Sequence, residues 1–459
     1  CDNNTITVSL KVNAPLFARC TPVLTLGPFA NARNRVSKVS VMALGGADST
    51  SFNSSGTWSE SPLASSSLTL TVASDISQAR PYVFSFMVSN PAKGQDVVAS
   101  ISGSGIPIPA VAAGRPMVVH SPTVSAGISQ STPWPCASNT LTVTLTSDTP
   151  LLASCNPIIS LTGLTGSFTP TTASFPVYVT AGDIMSPNPL ITSWNNAGTL
   201  SIALNSTVIG ASTHPTSAVQ NGMPNVVNFT FTMTLLNPNH GQPAPVVGVS
   251  GSMSYSDFSN SPFLVSTAIG NPTVPTFSAS EVDASYMTGV SGDLWPLFVR
   301  PVIFSSFTQQ STSNPCAQNV ITVTMMSSVP IYTACATSVG GTAGSTAVTI
   351  TGLTGSTTGG PTLPLTVAAN FSSSPAWNNT IGQLALVPTT TLLAGSNYTV
   401  VFTLTNQQNY QAARTPMFAL STYGASYPTS YGTNDSAPLF IAMLDWTVKT
   451  ASQSTPWPC

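Results

Sequence analysis

The sequence predicts an all-β protein built as three antiparallel β-sandwiches in tandem, each closed by one internal disulfide. Three observations predict it. Two cysteines stand nineteen positions apart three times over, as Cys1/Cys20, Cys136/Cys155 and Cys316/Cys335. An Asn follows three places after the first of each pair (Asn4, Asn139, Asn319), and a Pro fourteen places after it (Pro15, Pro150, Pro330). Between them apolar residues alternate with Thr or Ser, the period of a strand with one buried face. No stretch carries a capped 3.6-residue apolar period, and 39 prolines punctuate the chain.

Each unit opens on that first strand: Ile6-Val8-Leu10, Leu141-Val143-Leu145 and Ile321-Val323-Met325. A second strand follows the second cysteine and ends at glycine, as Val23 to Gly27, Ile159 to Gly163 and Val348 to Gly352. The later two units then share Gly-Leu-Thr-Gly-Ser, at Gly163 to Ser167 and Gly352 to Ser356, a corner suited to tight turns. Trp58, Trp194 and Trp377 lie 57, 58 and 61 residues after their first cysteine. One Trp per unit at one spacing is read as a core plug beside the disulfide, with a sugar-stacking platform as the rival. A further alternating strand aligns without gaps: Tyr82-Phe84-Phe86-Val88, Phe229-Phe231-Met233-Leu235 and Tyr398-Val400-Phe402-Leu404, each stopping at an Asn (Asn90, Asn237, Asn406). Apolar stretches such as Pro296 to Val299 and Pro438 to Ile441 close the units.

The first cysteines set the unit boundaries at 1–135, 136–315 and 316–458. These lengths exceed those of solenoid repeats, so each unit is expected to own its core. The second unit is longer by an insertion near 257–293, read either as a specialised contact or as idle loop. The chain ends in Ser-Gln-Ser-Thr-Pro-Trp-Pro-Cys459, the same eight residues as Ser129 to Cys136. Cys459 therefore reads as the start of a following repeat. It would pair with a cysteine of that repeat or bridge to another subunit. Trp134 and Trp457, in the two Pro-Trp-Pro sequences, are candidates for contact between units.

Only 5% of residues are charged, against roughly 25% in typical soluble domains. Disorder does not account for this, because 42% are apolar and well patterned. No apolar run approaches the ~18 residues of a membrane span. Eight of the eleven basic residues precede position 116, yet they form no stripe suited to phosphate, which argues against nucleic acid. Repeated cysteine pairs point to an oxidising compartment. A disulfide closing about twenty residues stabilises its unit by ~3 kcal/mol in the chain-entropy model. Cys-x-x-Cys is absent, and His120, His214 and His240 lack ligand or triad spacing, so neither metal, cofactor nor catalytic residue is assigned. Glu281 and Asp283 are the one close acidic pair, a solvated loop pair or a fragment of a Ca²⁺ site.

The remaining chemical signal is Asn-x-Ser/Thr, at Asn3, Asn53, Asn205, Asn228, Asn370, Asn378, Asn397 and Asn434. Ser-Pro pairs such as Ser61-Pro62 and Ser374-Pro375 suit O-linked sugar. Covalent N- and O-linked glycan explains how a chain so poor in charge stays soluble.

The strings Asn139 to Leu145 and Ile350 to Ser356 resemble those of very large tandem-repeat extracellular proteins of algae and other protists. The likeness covers mainly the start of each unit, and the first unit departs at Leu26-Gly27-Pro28-Phe29. The resemblance implies immunoglobulin-like sandwiches and a place in mastigoneme-like or other glycoprotein fibrils. The expectation is an extracellular, non-enzymatic structural subunit that partners itself, as a helical or head-to-tail homopolymer. The alternative is a surface adhesin or wall-glycan-binding module presenting the insertion of the second unit.

Overall fold

A computed structural model of the protein describes residues 3–34, 36–44, 51–78, 80–91, 94–106, 108–119, 124–147, 151, 155–182, 191–204, 227–253, 261–263, 293–428, 430–431, 436–445, 448–455 and 457. Among these the chain is all-β, with two single-turn 3₁₀ helices at Ala18–Cys20 and Leu63–Ser65.

The alternating runs pair as their patterns require. The leading strand Asn3–Lys11 lies antiparallel to Pro81–Ser89, with Ile6 opposite Phe86 and Leu10 opposite Tyr82. Ser138–Ser147 pairs in the same way with Val227–Leu236, placing Leu141, Val143 and Leu145 opposite Met233, Phe231 and Phe229. Gln318–Ser327 pairs with Tyr398–Thr405, with Ile321 opposite Phe402. Alternate side chains of a strand point to one face, so each pair offers a continuous apolar surface. A second sheet covers it, centred on Val23–Gly27, Ile158–Thr162 or Val348–Thr351. The glycine-ended strands of the sequence are these central strands.

The buried apolar residues fall into three clusters. One runs from Ile6 to Met117 around Phe84, Phe86 and Leu68. A second runs from Val124 to Leu297 around Phe229, Phe231 and Trp194. The third runs from Phe304 to Leu439 around Phe402, Phe418 and Trp377. Each buried Leu or Phe contributes ~1.5–3 kcal/mol relative to exposure, and with so few charges these clusters carry the stability. Trp58, Trp194 and Trp377 are plugs in the three clusters, 5%, 1% and 4% exposed, not open sugar platforms. Their indole N–H groups donate to Glu60 Oε1, the Thr169 carbonyl and the Thr358 carbonyl at 3.1, 3.1 and 3.0 Å.

The boundary expected at each first cysteine falls earlier. Val124–Gln130 hydrogen-bonds to Ser138–Ser147, and Phe304–Gln310 to Gln318–Ser327. These lead-in strands belong to the sheet that follows them. Phe304 shows why, because its ring packs on Phe418 and Tyr427 of the third cluster. The lead-in strand also pairs, in parallel, with Ser430–Tyr431, so it closes the edge of the sheet on both sides.

Candidate inter-unit interface

Where lead-in, leading and return strands meet, three amides form a buried knot. Asn139 Nδ2 donates to Gln130 Oε1 at 2.8 Å and to Asn237 Oδ1 at 2.9 Å. Asn237 Nδ2 in turn donates to the Thr132 and Trp134 carbonyls at 3.2 and 2.9 Å. Gln130 Nε2 donates to the Phe298 carbonyl at 2.9 Å. The third unit repeats this with Asn319, Gln310 and Asn406, whose amides donate to one another and to the Thr312, Asn314 and Phe440 carbonyls. Asn139, Asn237 and Asn319 are fully buried, which is tolerable only because their polar atoms are partnered. In the first unit Asn4 Nδ2 donates to Asn90 Oδ1 at 3.0 Å. No Gln–Asn bond of this kind joins it among the described residues.

The disulfide expected within each unit is instead between units: Cys136 is bonded to Cys335, 199 residues away, with Cα atoms 5.4 Å apart. The pairings Cys136/Cys155 and Cys316/Cys335 are therefore corrected, and so is Cys1/Cys20, because Cys20 and Cys316 are free and exposed. Cys155 is disulfide-bonded as well. The reason is geometric. A ten-residue strand spans ~33 Å, so the cysteine before it and the one after its turn sit at opposite ends of a unit. A disulfide needs Cα atoms within ~7 Å. The opposite end of a neighbouring unit satisfies that.

Other contacts surround the bridge. The Gly340 N–H donates to the Phe168 carbonyl at 3.0 Å, and Asn239 Nδ2 to the Thr422 carbonyl at 2.6 Å. Trp134 and Cys136 pack against the third cluster. The Arg300 guanidinium lies 5.2 Å from the Trp134 ring centroid. It is held by Asp293 at 2.6 Å in a nearly buried ion pair. Burial pushes the Tyr423 phenol, beside Thr422, up to about 12.

Trp457, the sequence twin of Trp134, is 80% exposed. Asn3, Asn53, Asn370, Asn378 and Asn397 are all exposed, so their sequons are open to modification. Asn228 is the second residue of the strand Val227–Leu236. Cys1, Cys459, Asn205, Asn434, Glu281, Asp283 and most of the insertion lie outside the described residues. Gln130 and Gln310 escaped the sequence reading. Their signal was a Gln six places before a first cysteine, repeated at Gln453 before Cys459.

No protein-family model matches the chain, and no curated protein matches it. Among solved structures, a Corynebacterium diphtheriae protein described as membrane anchored aligns over 99% of this chain and 89% of its own, at 9% identity and a TM-score of 0.20. The Actinomyces fimbrial adhesin FimA aligns over 70% of this chain and 98% of its own, at 10% identity and a TM-score of 0.17. Neither likeness carries function to this chain.

Proposed function

We propose that the chain is a structural segment of an extracellular glycosylated filament or surface coat, made of three tandem immunoglobulin-like sandwiches. The Cys136–Cys335 bridge carries this reading. A disulfide within a domain stabilises that domain, whereas one between successive domains fixes their relative placement and stiffens the string. Rigid spacing between repeats serves a load-bearing fibre and does little for a flexible soluble protein. The immunoglobulin-like assignment is supported by two tyrosine corners, in which Tyr82 and Tyr398 hydroxyls accept the Ser77 and Leu393 N–H at 2.7 and 2.6 Å. Five exposed sequons support the glycan coat, and the sparse charge gives it a role in keeping the surface wet. The partner in this reading is the chain itself, in head-to-tail contacts, which generate open fibres. Electron microscopy of native material carrying this chain tests it. Filaments labelled by an antibody to the chain are expected, and label confined to dispersed monomers would overturn it.

A further inference from the structure

The third unit carries an element that the other two lack, at its junction with the second. In the first and second units two residues separate the second cysteine from the central strand, Thr21-Pro22 before Val23–Gly27 and Asn156-Pro157 before Ile158–Thr162. In the third unit residues 336–347 fill that place, between Cys335 and Val348–Thr351. They fold back as a hairpin, with Ala334 paired to Ser345 and Cys335 to Gly344. An insertion confined to one repeat often marks a contact peculiar to it.

The base of the hairpin is fixed to its own unit. The Thr346 N–H donates to the Thr333 carbonyl at 2.9 Å. The Thr346 hydroxyl is hydrogen-bonded to that of Thr422 at 2.9 Å, and both residues are buried. Beside Thr422, the Tyr423 hydroxyl accepts the Tyr332 N–H at 3.1 Å and donates to the Pro330 carbonyl at 3.2 Å. The hairpin base and the turn at Thr422 therefore move as one body.

Both parts of that body reach the second unit. The hairpin tip is a β-turn closed by the Gly341 N–H on the Ser338 carbonyl at 3.1 Å. Gly340 takes its third position at φ +66°, a place that favours glycine. The Gly340 N–H donates to the Phe168 carbonyl at 3.0 Å, and a Cβ here would stand only 3.3 Å from that of Pro170. The Thr422 carbonyl accepts from Asn239 Nδ2 at 2.6 Å. On the second unit these anchors are also joined. The His240 ring is bonded to Asn239 Oδ1 at 2.9 Å and lies 6.3 Å from the Phe168 ring. The Phe168 N–H donates to the Leu236 carbonyl at 2.8 Å, on the strand that leads to Asn239.

We infer that the hairpin at 334–345 is a clamp that sets the angle between the second and third units, and that it does so without the disulfide. A disulfide alone is a tether, because the single bonds on either side of it rotate. Small polar junctions leave neighbouring domains free to move. Two hydrogen bonds at separate points, each between rigid parts, remove the rotations that one tether leaves. The Cys136–Cys335 bridge then adds tensile strength to an orientation the clamp has chosen. This division of roles holds whether or not the chain belongs to a filament.

Residual dipolar couplings on the deuterated full chain test it. They give each unit an alignment tensor, and units held as one body share it. The tensors of the second and third units are expected to coincide in the native chain and in the Cys136→Ser/Cys335→Ser chain. In both, the Gly340 amide should exchange at least about tenfold more slowly than an unbonded amide. On the cysteine-free junction, replacing residues 336–347 by Asn-Pro, the link of the second unit, should separate the tensors. Gly340→Val on the same background alters only the tip, so it decides the matter if the shortened chain does not fold. It should likewise separate the tensors and abolish the protection at position 340. Tensors that part on loss of the cysteines alone, or that still coincide in the Gly340→Val chain, would overturn the inference.

Discussion

Cys136 and Cys335 hold Cα atoms 5.4 Å apart across 199 residues of sequence, so tension applied to the two ends of the chain bypasses everything between them. Stretching single oxidised molecules should leave the 199 residues between the two cysteines out of the load path, so that their length is not released. Reductant added under load should release roughly 700 Å, at ~3.5 Å per residue. Full extension before any reductant is added would show that the bridge does not carry the load.

Asn139 Nδ2 donates to both Gln130 Oε1 and Asn237 Oδ1, so truncating it strands two buried acceptors. Asn139→Ala and Asn319→Ala are each expected to cost about 1–3 kcal/mol in urea unfolding. Asn4→Ala, which frees the half-buried Asn90 and gives up a weak bond to Met117 Sδ, should cost less in the isolated chain. Equal losses at all three positions would contradict the difference between the first knot and the other two.

The strands were legible because their chemistry is local. Leu141, Val143 and Leu145 alternate with threonine, and only a half-buried strand uses that period. The cysteine partners were not legible, for a reason that lies in repetition itself. When every unit carries the same two cysteines, bonding within a unit and bonding to the next unit leave the same spacing in the sequence. Only the position of Cys136 at one end of its strand and Cys155 beyond the other decides between them. The lead-in strand was missed at Val124 to Gln130 because Ser125, Ala126 and Gly127 blur its alternation. The Gln that ends it does its work through a distant Asn, which no local pattern marks.

Gly355 holds φ at +91°, and a Cβ there would run into the Gln411 carboxamide. That carboxamide donates to the Thr354 and Leu439 carbonyls at 3.1 and 2.9 Å, pinning the closing segment to the corner. Gly355→Ala combines left-handed strain with loss of these bonds, an expected cost of about 2–4 kcal/mol. Gly424→Ala, also at positive φ but with open space around its Cβ, should cost only the strain, about 1 kcal/mol. Calorimetric melts of the two variants should separate by several degrees, and coincident curves would remove the role given to Gln411.

The bare chain weighs 47.2 kDa. Native material is expected to be heavier by sugar, with occupancy at Asn53, Asn370, Asn378 and Asn397, all exposed. Peptide-level mass spectrometry with and without an N-glycosidase reads this directly. A native mass equal to that of the bare chain would leave the solubility of the surface to Ser and Thr alone.

Tyr423 ties the third unit's alkaline stability to its core. Burial raises its phenol from the ordinary 10.0 to about 12, against a smaller lowering by the hydrogen bond from the Tyr332 backbone. Burial raises Tyr332 and Tyr427 in the same direction. In the folded chain the phenol keeps its proton to higher pH than in the unfolded chain. Between about pH 10 and 12 the folded state therefore binds more protons, and stability falls as pH rises through that window. Below pH 10 the contribution is complete. Each such group steepens the fall by up to ~1.4 kcal/mol per pH unit. Tyr423→Phe gives up the bond to the Pro330 carbonyl, so it should start about 1 kcal/mol less stable at pH 8 and then lose stability more slowly above pH 10. Urea unfolding from pH 8 to 11.5 measures both slopes, and parallel lines would show that the Tyr423 phenol ionises as freely in the folded chain as in the unfolded one.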